Sequence, residues 1–422
     1  MVNEFPLKFF PRFAYDQFVK PQYGSYNFGN IHATVLKLFG IDSGSTLLPK
    51  DCFGEDYPQP RVVVFFFLDA FGWKFWNEAD PGLKALARIK EEGRVTPLTT
   101  LFPSTTAASV TTFHTGVLPA QHALYEWNLF IPEYDDVIQT LVFSPLGEKV
   151  QDGCRAKGYD PAQLFNQSET LVGRLEEHGV KTIQFLPPGY SASGYNSLIG
   201  RGGSSVQPYR SAGEALPQIK ESIRQAKGPT FIYFYYPEID GAMHQFGPDS
   251  AEAKASVAQF WTRFAEVFGS YEKPEDALFL FAADHGQIGS DPEKAIYLNQ
   301  LAPELLSWLK THRDGRPVMP NGSSHDVFLH IKEEFVDQAL AILRERLDLK
   351  ALVLSTQDAL EQGLFGPPPF NQRFLDRLGQ ILILPYESRQ IWWYDPPRLY
   401  AKHRGLHGGL TPEEALTVLA AW

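Results

Sequence analysis

The chain has 422 residues, with 38 Lys+Arg against 49 Asp+Glu and a formal net charge of -11; 44% of it is hydrophobic and 21% charged. This is the profile of a soluble globular protein with a sizeable core, and its acidic balance argues against stable nucleic-acid binding, which needs surplus Lys/Arg to displace counterions. Two cysteines, Cys52 and Cys154, cannot build a disulfide framework or a Cys-rich zinc site.

Residues 1–58 are rich in aromatics and punctuated by Gly and Pro, and are expected to pack on the core as an N-terminal extension. The start, Met1-Val2-Asn3-Glu4-Phe5-Pro6, lacks a basic segment followed by an apolar run, so no signal peptide is expected and the default compartment is the cytoplasm. Short apolar runs then follow that suit buried parallel strands: Val62–Leu68, Ile183–Leu186, Phe231–Tyr236 and Leu278–Ala283. None is long enough to span a bilayer, and no membrane partner is expected. Helical stretches lie between them, including a core stripe of Val257, Phe260, Trp261, Phe264 and Phe268.

The alternation predicts an α/β fold with a largely parallel central sheet. The catalytic core is expected over 59–314, with a small loop-rich cap at about 129–180. A small inserted α/β subdomain is expected over 315–380, and the core resumes over 381–422.

Three of the apolar runs end in ionisable residues. Val62–Leu68 leads into Asp69, Phe231–Tyr236 into Glu238, Asp240 and His244, and Leu278–Ala283 into Asp284-His285-Gly286. Ligands bind beyond the carboxyl ends of strands in open parallel sheets, so these tips converge on one crevice. Buried carboxylates need a partner, and Asp and His suit zinc and related divalent ions. Asp240 and His244 stand one helical turn apart and can reach one ion, whereas Asp284 and His285 could bind one ion or bridge two. His407 sits in a Gly-flexible loop before a capping box of Thr411 and Glu414, and supplies a ligand to Asp240 and His244 if the loop folds inward. In Pro103-Ser104-Thr105-Thr106-Ala107-Ala108, a helix start places a hydroxyl where backbone N–H groups favour an anion. An ordinary helix cap fits the same letters.

Taken in order, these residues resemble the alkaline phosphatase superfamily, and within it the nucleotide pyrophosphatase/phosphodiesterase family. The resemblance rests on Asp69, Thr106 with Thr115-Gly116 nine residues on, Asp240-x-x-x-His244-x-x-Gly247-Pro248, Ala283-Asp284-His285-Gly286 and His407-Gly408-Gly409. It implies one metal held by Asp240, His244 and His407. It implies a second held by Asp69, Asp284 and His285 together with the Thr106 oxygen, the two ions being zinc, with manganese as an alternative. It also implies Thr106 as nucleophile, a phosphothreonine intermediate and Asn128 on a phosphoryl oxygen.

The expected substrate is a small phosphodiester, with phosphomonoester, phosphonate or sulfate-ester hydrolysis, or an inactive binding protein, as rivals; self-association stays open. Where the family presents a base-stacking Phe after the nucleophile, this chain has Ala107. Aromatics of the cap stretch, Tyr125, Trp127, Phe130 and Tyr134, are the candidates to replace it. His114 and His122, flanking the nucleophile helix, are read as structural; His325 and His403 are open to either a substrate contact or a packing or surface role.

Overall fold

The computed structural model describes residues 1–148, 150–166, 169–190, 193–200 and 205–422. A seven-stranded sheet runs through the main core in the order Arg94–Thr99, Leu416–Ala421, Ala277–Ala282, Val62–Leu68, Thr230–Tyr236, Lys181–Leu186, Ser205–Pro208. Only Leu416–Ala421 runs against the others. All four runs expected as strands are in it.

Alternation along Val62–Leu68 shows why helices cover both faces. Phe66 points to one side and meets Phe264 and Phe268 of the helix Ala251–Phe268, with ring centroids 5.5 and 6.4 Å away. Phe65 and Phe67 point to the other and meet Phe113 of the helix Thr106–Thr115 at 4.6 and 6.1 Å. A strand buried on both faces carries no polar alternation, which is why it reads as one apolar run. Residues of the first 58, among them Phe18, Val19, Phe28 and Val35, are buried in this same core.

A second core gathers Val327, Leu329, Leu340, Leu343, Ile381 and Ile383 under an antiparallel sheet ordered Asn321–Ser323, Asp326–Leu329, Ile381–Pro385, Ala351–Ser355. The boundary drawn at 380 from sequence falls just before one of its two inner strands. At the start of the expected cap, about 129–180, Asn128–Ile131, Asp136–Gln139 and Ser144–Pro145 form a small antiparallel sheet.

Register fixes the site. Leu68 pairs with Tyr236, and Phe67 with Ala282, so three neighbouring strands end nearly level. The residues that follow them emerge side by side at one edge.

Candidate active site

Asp69 follows the central strand directly, and the chain turns at Ala70 with φ of 61°, a left-handed conformation uncommon for alanine. The turn lets Ala70 N donate to Asp284 Oδ1 at 3.1 Å, tying the first strand tip to the third. Gly72 and Gly286 pass so closely that a Cβ on Gly72 would lie 2.7 Å from Gly286 Cα. Asp240 and His244 stand on the helix Glu238–Phe246 with His244 Nε2 3.4 Å from Asp240 Oδ1, the one-turn relation expected from their spacing.

The C-terminal loop does fold inward. His407 Nε2 lies 3.1 Å from His244 Nε2 and 3.9 Å from Asp240 Oδ1. On the other side, His285 Nε2 is 3.2 Å from Asp284 Oδ2 and 3.6 Å from Asp69 Oδ1. Two ligand groups thus lie side by side, Asp69–Asp284–His285 and a set around Asp240 and His407 that either His244 or His285 can complete.

The donor atoms fit divalent cations. His244 Nδ1 donates to Gly405 O at 2.7 Å, His285 Nδ1 to Gly286 O at 2.9 Å and His407 Nδ1 to Ser104 O at 3.0 Å. Each bond fixes a tautomer that leaves an Nε2 lone pair for the cluster. Among the described residues no Lys or Arg pairs with Asp69, Asp240 or Asp284, and Asp284 Oδ2 is buried without a hydrogen-bond donor. Burial and the charge of Asp284 push the Asp69 carboxyl well above the usual range, as expected of anions crowded without a cation. Burial, with His285 and His244 nearby, holds His407 well below an ordinary histidine, in the neutral state a ligand needs.

Thr106 is not the helix cap. Thr105 caps the helix, its Oγ1 accepting from Ala108 N at 3.2 Å and donating to Tyr125 O at 2.9 Å. That frees the Thr106 hydroxyl, which lies 3.1 Å from His285 Nε2 and 3.5 Å from Asp69 Oδ1. It faces the second ligand group at the first position of a ten-residue helix. Asn128 begins a strand of the small sheet; its Nδ2 donates to Gly322 O at 3.1 Å, while its Oδ1 is buried without a partner. Its amide group is thus turned to the second sheet.

Several supporting residues are invisible in the motifs. The Tyr235 hydroxyl donates to Asp69 Oδ2, and Gln287 Nε2 donates to Asp240 Oδ1. Ser104 clasps the His407 loop: its Oγ donates to Gly409 O at 2.7 Å and accepts from Gly408 N at 3.0 Å. Glu414 realises the expected capping box with Thr411 and pairs with His325 Nδ1 at 2.7 Å, both side chains fully buried. The aromatics of the cap stretch are mostly engaged elsewhere. Tyr125 donates to Arg377 O, Phe130 packs on His312 and His330, and Tyr134 stacks on Tyr159, while Trp127 is exposed.

Comparison with known proteins identifies the family and the fold. A family model described as type I phosphodiesterase/nucleotide pyrophosphatase matches residues 63–409. An uncharacterized pyrophosphatase/phosphodiesterase of Schizosaccharomyces pombe is 23% identical over 271 residues, 63% of this chain and 52% of that protein. The chain therefore spans about half the length of this curated relative. Murine ectonucleotide pyrophosphatase/phosphodiesterase 5, as an inactive threonine-to-alanine variant in complex with AMP, superposes with a TM-score of 0.61 at 17% identity, covering 86% of this chain and 87% of that one. Phosphonoacetate hydrolase from Sinorhizobium meliloti 1021, in complex with phosphonoformate, gives 0.61 at 18% identity over 87% and 91%. At these identities the two structures speak to the fold. No helix among the described residues is long and apolar enough to cross a membrane.

Proposed function

The chain belongs to the type I phosphodiesterase/nucleotide pyrophosphatase family, and from that premise we propose that it hydrolyses small phosphodiesters with two divalent ions and a phosphothreonine intermediate on Thr106. The observation that carries this reading is the Thr106 hydroxyl, freed from capping by Thr105 and set 3.1 Å from His285 and 3.5 Å from Asp69. Asp240, His244 and His407 would hold one ion, and Asp69, Asp284 and His285 the other. When bound, such ions favour the alkoxide form of a nearby hydroxyl and neutralise charge on the transferring group.

The chain's own residues do the rest. Thr106 Oγ1 forms a bond to phosphorus as the bond to the leaving oxygen breaks, its hydroxyl proton passing through solvent to that oxygen so that it departs as the alcohol, with the helix start facing the non-bridging oxygens. Water then attacks from the side the alcohol left, releasing the phosphate product and restoring the hydroxyl. The threonine whose replacement accompanies the inactive state of the murine neighbour supports a threonine in this role.

Phosphonate hydrolysis on the same site is the second reading, favoured by the phosphonoacetate hydrolase neighbour. Purified protein supplied with Zn or Mn, screened against nitrophenyl monoesters, diesters, phosphonates and sulfates, separates these. The diester is expected to turn over fastest; a faster phosphonate or sulfate substrate would overturn the assignment.

A further inference from the structure

A slot opens beside the Thr106 hydroxyl. Val110 and His114 extend it along the helix, Tyr233 and Leu186 wall it from two adjacent strands, and Ile199 closes it from the short helix Asn196–Ile199. No side chain of Asp, Glu, Lys or Arg lines it among the described residues, and burial pushes the pKa of His114 down to about 3, so that ring is neutral. Polar side chains also stand on its wall: Tyr195 is bonded to Thr111 Oγ1 at 2.8 Å, Tyr235 donates to Asp69, the Asn196 amide donates to Ser193 Oγ at 3.0 Å, and Gln184 and Tyr190 join the lining.

The slot is narrow. Its volume is about 30 Å³, room for roughly two or three waters. A nucleobase with its ribose exceeds that, and a charged group would find no counter-charge. Ala107 does not line it; that side chain is 1% exposed and packed into the core.

Resting on the Thr106 chemistry proposed above, we propose that this slot receives the organic group of the ester as a slim, uncharged alkyl chain, which makes alkyl phosphodiesters rather than nucleotides the preferred substrate class. The aliphatic faces of Val110, Leu186 and Ile199 and the tyrosine rings reward each methylene removed from water, and their closeness limits the reward to a short chain.

The test is isothermal titration of the zinc-loaded protein with methyl-, ethyl-, propyl- and butylphosphonate and with thymidine 5′-monophosphate. The expected Kd falls about fourfold per added methylene, and butylphosphonate binds tighter than the nucleotide. Val110→Phe, which fills the slot, flattens the series; Ile199→Phe, on the opposite wall, does the same and serves if the first variant loses its circular dichroism signature. A flat series in the wild type, no binding of any member, a nucleotide that outbinds butylphosphonate, or a folded variant with the full slope overturns the assignment. Because binding is read without turnover, a sloped series in a protein that hydrolyses no diester would sink the phosphodiesterase reading alone. Diester turnover with a flat series would sink the slot alone.

Discussion

His285 and His407 stack ring on ring, with centroids 3.7 Å apart and planes 15° from parallel. One follows a strand of the central sheet and the other hangs on a glycine-rich loop, so the contact joins the two ligand groups along a single seam. Chelator-treated protein is therefore expected to take up two zinc ions per chain, one for each group, and His407→Ala to retain the ion held by Asp69, Asp284 and His285. Elemental analysis after gel filtration checks this. Full occupancy in His407→Ala would separate the loop from metal binding.

Tyr235 is the supporting residue with the cleanest single-atom test. Its hydroxyl holds the Asp69 oxygen that faces away from Thr106, fixing the carboxylate toward His285. Tyr235→Phe keeps the ring and removes the bond. Zinc affinity of the Asp69 group is expected to fall by about 10–100-fold with the far-UV spectrum unchanged, as read by competition with a chromophoric chelator. Unchanged affinity would make the bond incidental.

Glu414 ties the loop of His407 to the second sheet. It accepts from Gly409 N at 3.0 Å and from Thr411 while pairing with His325. Glu414→Gln leaves a buried imidazole without its counter-charge, and loss of one partner of such a pair costs about 3–5 kcal/mol. Urea unfolding measures the loss, and a change within about 1 kcal/mol would show the pair to be no stronger than a surface contact.

Acid sensitivity follows from His122. Its Nδ1 accepts from Leu124 N at 3.0 Å and its Nε2 donates to Thr112 Oγ1 at 3.1 Å, an arrangement only the neutral ring can make. Burial pushes its pKa down to about 3. The unfolded chain, with a histidine near 6.5, binds a proton that the folded chain refuses. Stability from this group is thus fully present above about pH 6.5 and declines as pH falls toward 3. Between pH 6.5 and 5 the decline is about 2 kcal/mol. His122→Gln, although less stable at neutral pH, is expected to lose that much less over the same interval; an equal decline in both proteins would contradict the assignment.

Strands with no exposed face were legible because nothing polar interrupts them, so Val62–Leu68 and its neighbours stand out as apolar runs. Arg94–Thr99 was not, because Pro97 argues against a strand; it lies at the edge of the sheet, where a missing N–H is tolerated. Leu416–Ala421 follows the short helix Pro412–Ala415 directly and is as Ala- and Leu-rich as a helix, so only pairing with Ala277–Ala282 reveals it. The cluster of Asp69, Asp240, His244, Asp284, His285 and His407 was legible because Asp and His at the ends of apolar strands stand out against the runs that precede them. Tyr235 and Ser104 were not, since a tyrosine in an aromatic strand and a serine before a helix look like packing and capping until their partners are known. Asn128 shows the same limit, its amide turned to Gly322 across a strand contact that spacing does not encode.

Thr106 is expected to become covalently attached to the transferring group. Zinc-loaded protein turning over bis(p-nitrophenyl) phosphate, quenched in acid within milliseconds and digested for peptide mass spectrometry, tests it directly. The predicted result is a phosphoryl adduct on Thr106 in the wild type and none in Thr106→Ala, whose turnover falls by roughly a thousandfold or more. Near-normal turnover in Thr106→Ala, or an adduct on Thr105, would rule out Thr106 as the nucleophile.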